Sequence, residues 1–237
     1  MVAIGVDGCR SGWFYFELDG QAYRYGVAST LEALVNNYPV DTRIFIDIPI
    51  GLLEGGSNGR RCDTEARRLL QERRSSMFSA PVRSVLDAVD YEDAKERSIA
   101  ATGKALSKQA FAIVPKIREV DSLLRGSSKA RTMVREVHPE LCFWALAGGR
   151  PMAYPKKTDE GFRERMKVLS LLWPEAEPAA TEAYSWSTSR RVGMDDVVDA
   201  LVNAITATLE PTALETLPSH PEIDEVGLPM EMVYARL

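Results

Sequence analysis

The sequence predicts a mixed α/β fold. Three observations carry that expectation: an antiparallel meander at the start, a short apolar strand at Arg43–Ile48, and helical periodicity through most of the remainder. Residues 2–7 form an apolar run ending in Asp7, and Gly8 permits a tight exit. Trp13–Leu18 is rich in aromatics, Asp19-Gly20 is a strong hairpin signal, and Tyr23–Val27 forms the return strand. Ser29 or Thr30 caps a short helix carrying Leu31, Leu34 and Val35 on one face. The next strand, Arg43–Ile48, is then a candidate neighbour of the first.

The middle of the chain is helical. Pro49–Gly59 is glycine-rich and cannot continue a central strand. A helix is expected from Asp63 to about Arg74, an irregular stretch over Ser75–Leu86, and helices over 90–101 and 107–124, the last interrupted near Pro115. Residues 50–127, approximately, therefore read as a helical insertion after the fourth strand, within a single domain spanning 1–237. Ala130–Val137 regains strand character, and Glu140–Leu146 and about Asp159–Leu172 read as helices. Pro174–Pro178 is a break followed by a short helix. Met194–Leu209 is helical, with Val197, Val198, Leu201, Ile205 and Leu209 as its apolar stripe, and Leu228–Tyr234 reads as an edge strand.

A chain of 237 residues can bury a substantial core, and 45% hydrophobic with 27% charged residues is ordinary for a globular protein. A net charge of -5 argues against an unspecific nucleic-acid coat protein but leaves a nuclease open, because there the local field decides. Charge is uneven: arginines crowd 60–83, whereas from Asp195 onward Arg236 is the lone base. Three scattered cysteines lack C-x-x-C spacing, which predicts a reducing compartment and no thiolate zinc site. With no secretory signal and no apolar run near the ~20 residues that span a bilayer, a cytoplasmic protein without membrane association is expected.

Asp47 is the residue hardest to explain as structure. It interrupts the apolar run Ile44–Ile50, and an unpaired carboxylate taken out of water costs several kcal/mol. A cation is the obvious partner. Asp7 ends the first strand in the same way, and Asp196 and Asp199 lie at i and i+3 on one helical face; Asp195, four residues before Asp199, is an alternative. Mg²⁺ or Mn²⁺ suits such hard oxygen ligands, and two ions about 4 Å apart can activate water and stabilise the leaving oxygen of a phosphodiester. Glu136 and His138 project from one strand face, and His138 is suited to general-base work. Arg61, Arg67, Lys116 and Lys157 are candidate phosphate contacts, although Arg61, Asp63 and Arg67 also read as an internal ion-pair lattice. Trp13, Phe78 and Trp144 adjoin apolar segments and read as core rather than as stacking platforms.

The motifs also resemble a known family. Ile4-Gly5-Val6-Asp7-Gly8-Cys9 with Gly12-Trp13, Ile46–Gly51, Arg61-Cys62-Asp63 with Ala66-Arg67, Lys116-Ile117 with Glu119-Val120-Asp121, Glu136–Glu140 and Asp195-Asp196 with Asp199-Ala200 occur in the family's order. Together they are similar to an uncharacterised domain-of-unknown-function family of predicted RNase H-like nucleases. The resemblance implies a ribonuclease H-like mixed sheet flanked by helices. It also implies that Asp7 bridges two ions, that Asp47 takes the fourth-strand position, and that Asp196 and Asp199 form the last-helix pair. The expected activity is metal-dependent phosphodiester hydrolysis of DNA or RNA, with Mg²⁺ or Mn²⁺ as cofactor and nucleic acid as partner; a homodimer is left open. Two rivals are an actin- or sugar-kinase-like phosphotransferase, suggested by Asp7-Gly8 followed by Gly12, and a non-catalytic binding module that retains the fold.

Overall fold

A computed structural model describes residues 1–236. The described residues divide into two compact units. The first comprises Met1–Ile48, Lys129–Glu215 and the end of the chain from Val233; the second comprises Pro49–Ser128 and Thr216–Met232.

The first unit is built on a five-stranded mixed sheet of β1 (Ala3–Cys9), β2 (Gly12–Asp19), β3 (Ala22–Ala28), β4 (Arg43–Ile46) and β5 (Val134–Glu136), in the order β3-β2-β1-β4-β5. The first three strands form the expected antiparallel meander, and β1–β4 and β4–β5 are parallel. Between β3 and β4, Thr30 caps α1 (Leu31–Asn36), its hydroxyl accepting from the Ala33 amide at 3.2 Å. Asp47 lies one residue past β4, at the exit of the strand rather than within it.

After the second unit's helices α2 (Arg61–Leu70), α3 (Tyr91–Thr102) and α4 (Lys108–Gly126), the chain enters α5 (Ser128–Met133). The strand expected over Ala130–Val137 is thus mostly helix, and only Val134–Glu136 pairs with β4. Then follow α6 (Pro139–Leu146), α7 (Asp159–Leu169), α8 (Ala176–Ser187) and α9 (Met194–Thr208). Pro139 starts α6, where its missing amide costs nothing, and Pro115 sits inside α4 without ending it. After α9 come β6 (Leu214–Ile223) and β7 (Pro229–Ala235), which pair in a two-stranded sheet of their own. Among the described residues no helix is long and apolar enough to cross a membrane, and no disulfide joins Cys9, Cys62 and Cys142, all three buried.

Helix α9 is the centrepiece of the first unit. Every residue from Val197 to Ala207 is buried, because the helix packs on β1, β2 and β4 and against α6, α7 and α8. Its approach to β1 depends on Gly5. A Cβ there would lie 1.9 Å from the Ala200 carbonyl oxygen and 2.2 Å from the Ala204 amide nitrogen, both rigid backbone atoms. Gly5→Ala is therefore expected to destabilise the protein by about 1–3 kcal/mol or more, as forced overpacking does, read as a lower urea midpoint at unchanged slope. A midpoint equal to the parent's would show that α9 yields freely.

Candidate functional site

The site begins with strand register. Val6 pairs with Ile46 in the parallel β1–β4 ladder, and the Asp47 amide donates to the Val6 carbonyl at 3.2 Å. Asp7 and Asp47 are therefore lateral neighbours on strands spaced about 4.8 Å apart, and share a face. Side chains alternate along β1, so the face of Asp7 is also that of Gly5, on which α9 lies. Asp199, one helical residue before Ala200, is buried above it, and Asp196 precedes it by three positions. Asn203 locks the arrangement: fully buried, it donates from Nδ2 to the Val6 carbonyl at 3.2 Å. One carbonyl thus holds both the Asp47 backbone and the helix that bears Asp199.

Burial raises the proton affinities of these carboxylates, and at Asp7, Asp196 and Asp199 neighbouring acids add to it. Burial pushes Asp7 well above the ordinary carboxylate range, and Asp199, Asp47 and Asp196 add to the effect while Lys156 opposes it. Burial raises Asp47 to about 6, with Lys156 opposing. Asp199 is also raised to about 6, by burial first; Lys156 opposes, and Asp47 and Glu140 push further up. Burial raises Asp196 as well, against the backbone hydrogen bond its Oδ2 accepts from Gly193 at 2.9 Å. Asp196 therefore also caps α9.

Lys156 brings an ammonium among these acids. Its Nζ is 2.5 Å from Asp199 Oδ2 and 3.9 Å from Asp195 Oδ2. Burial favours loss of its proton, but Asp199, Asp7 and Asp47 outweigh that and hold it charged. Lys157 is 3.6 Å from Asp195, also acts on Asp196, and is largely exposed. Among the described residues, no group of three or more His, Cys, Asp or Glu side chains is arranged to hold a metal ion directly; the cation in the cluster is Lys156. Carboxylate oxygens are hard ligands of the kind that divalent ions such as Mg²⁺ take.

The family model described as "Protein of unknown function (DUF429)" matches residues 5–223, a span that contains Asp7, Asp47, Lys156, Asp196 and Asp199. The chain belongs to the DUF429 family. No curated protein and no solved structure matches it.

The other expected site residues of this DUF429 protein fall elsewhere. Glu136 is buried in β5 and pairs with Ile46, so alternation places it on the sheet face opposite Asp7 and Asp47. His138, half-buried, is the N-cap residue of α6, and its carbonyl accepts from the Cys142 amide. Arg61, Arg67 and Lys116 belong to the second unit. Arg61 is solvent-facing and pairs with Glu65 at 2.7 Å.

The expected lattice of Arg61, Asp63 and Arg67 is corrected by the structure. Arg60, not Arg61, is the buried partner of Asp63: its Nη2 lies 2.6 Å from Asp63 Oδ1, and its Nη1 donates to the Ile50 carbonyl at 2.9 Å. Arg60 sits just outside α2 in an extended conformation, from which its side chain folds back over the i+3 acid, whereas position 61 points outward. Arg67 instead donates to the Met77 carbonyl and Ser79 Oγ.

Sequence reasoning missed Lys156, Glu140 and Asn203. Glu140 is buried, its Oε1 held by the nearly inaccessible Arg165, while its Oε2 has no hydrogen-bond partner. A Lys-Lys pair ahead of the capping Thr158 was the visible signal for Lys156, but adjacent lysines cannot be ranked without the fold.

Proposed function

We propose that this DUF429 protein is a metal-dependent phosphodiesterase acting on nucleic acid, with an RNase H-like arrangement of its acids. The observation that carries the reading is the convergence of Asp7 and Asp47, from adjacent parallel strands, with Asp199 from a helix packed across them. The strand order 3-2-1-4-5, with an antiparallel meander leading into parallel strands, supports the same reading. Asp7, Asp47, Asp196 and Asp199 are the residues that would hold Mg²⁺ or Mn²⁺, which supplies charge neutralisation and an activated water at phosphorus. Lys156 keeps the cluster tolerable before loading. Lys157, 3.6 Å from Asp195 and largely exposed, is the phosphate contact of the proposal, and DNA and RNA are equally served by it.

Proton release tests the reading directly. Asp47 and Asp199, raised to about 6, must ionise to hold a dication, so Mn²⁺ affinity is expected to climb between pH 5 and 7. Calorimetry in buffers of different ionisation enthalpy should register the protons, alongside Mn²⁺-dependent cleavage of labelled single-stranded, duplex and branched DNA and RNA. Absence of Mn²⁺ binding at millimolar concentration would sink the proposal.

A second reading has its own support. Because Lys156 already neutralises Asp199 at 2.5 Å, the fold can persist as a non-catalytic binding module. Mn²⁺ binding without cleavage of any of these substrates would favour it.

A further inference from the structure

The second unit contains a cavity of about 310 Å³ formed by the loop at Gly56–Gly59, the segment 78–82, the end of α3 and the start of α4. That volume is at the lower end of small-molecule sites, far larger than a lone inorganic ion needs. Among its described lining residues there is no Asp or Glu, whereas Arg60, Arg67 and Lys104 all contribute.

Arg60 is neutralised by Asp63. The other two cations bond only to neutral oxygens. Arg67 donates from Nε and Nη2 to the Met77 carbonyl, both at 3.2 Å, and from Nη2 to Ser79 Oγ at 3.0 Å. Lys104 Nζ donates to the Ser57 carbonyl at 2.7 Å. The N-terminus of α4, a 19-residue helix, adds the positive end of its dipole through Ser107 and Ala110. Two cations and a helix terminus present about 2.5 positive charges, which a phosphate monoester of about −1.5 to −2 matches and a carboxylate does not. Phe78, 36% exposed, also lines the cavity, and an aromatic ring suits a planar group.

We infer that this cavity binds a nucleoside monophosphate, its phosphate held by Arg67, Lys104 and the start of α4 and its base against Phe78. The inference shares no residue with the acidic site and does not depend on metal or on cleavage. A mononucleotide is both the size of the cavity and the carrier of the two features that line it.

Calorimetric titration of the full-length protein with adenosine and uridine 5′-monophosphate tests it, with adenosine and inorganic phosphate as probes of each half. At least one nucleotide should saturate the protein, inorganic phosphate should bind about tenfold or more weakly, and adenosine alone should not bind. Lys104→Gln, at an exposed position, and Arg67→Gln should each weaken the nucleotide about tenfold or more, while Asp7→Asn leaves it unchanged. Phe78→Ala should bring the nucleotide down to the affinity of inorganic phosphate. The inference is overturned if neither nucleotide saturates below about 10 mM, a concentration at which binding energy is under ~3 kcal/mol. It is equally overturned if binding survives both Lys104→Gln and Arg67→Gln, or is lost in Asp7→Asn.

Discussion

Asp7→Asn is expected to reduce metal-dependent cleavage by at least about a thousandfold, some 4 kcal/mol of barrier, because it removes a carboxylate that feels Asp199, Asp47 and Asp196 alike. The same change should raise the melting temperature of the metal-free protein at pH 7. Asp7 binds its proton more readily in the folded chain than in the unfolded one. Stability conferred by that preference is complete at low pH and drains away as pH rises from about 4 through the elevated folded value. Asn carries no such liability, so its advantage should be a few °C at pH 7, at roughly 2–4 °C per kcal/mol for a chain of this size, and vanish near pH 4. Thermal melts across this range check it. An Asp7 fully satisfied by local hydrogen bonds would give the reverse, a variant less stable than the parent at pH 7.

Lys156→Gln should move metal affinity the other way. Unit charges 4 Å apart interact by about 4 kcal/mol at an effective dielectric of 20, and partial exposure of Lys156 reduces this to roughly 1–2 kcal/mol. Losing the ammonium should therefore tighten Mn²⁺ about tenfold at pH 7. Metal-free Lys156→Gln should be less stable than the parent at pH 7 and recover toward it as pH falls through about 6, where Asp47 and Asp199 take up protons and no longer need a cation. Calorimetry and pH-dependent melts read both. Unchanged metal affinity would mean that Lys156 serves substrate alone, and weaker affinity would refute its place among the acids.

The sheet was largely legible from the sequence. Asp19-Gly20 announced the hairpin, and apolar runs ending in Asp7 and Asp47 proved to be neighbouring parallel strands. Helix α9 appears as its apolar stripe drew it, to within a residue. What could not be read was cross-strand register. Spacing within β5 put Glu136 and His138 on one face, but which face depends on Ile46 pairing with Glu136, and a slip of one residue would have turned Glu136 toward Asp47. Arg60 and Arg61 posed the same difficulty at a helix boundary, where one position separates a buried ion pair from a solvated one. Strand β6 was hidden by Pro218 and Pro221, which read as breakers. Phe78, expected in the core, is exposed, whereas Trp13 is fully buried as expected.

Gly5 has a role beyond fitting α9 to the sheet. With only a hydrogen at that position, backbone meets backbone, and this thickness sets the span that the acids on strand and helix must bridge. A methyl there would act as a shim, lifting Asp199 from Asp7 and Asp47. Aspartates, the shortest acidic side chains, suffice because the gap is already at its minimum. A relative with Ala at this position would need the extra methylene of Glu at one of the three acids to recover the same reach. Gly5→Ala paired with Asp199→Glu should accordingly regain Mn²⁺ binding that Gly5→Ala alone loses.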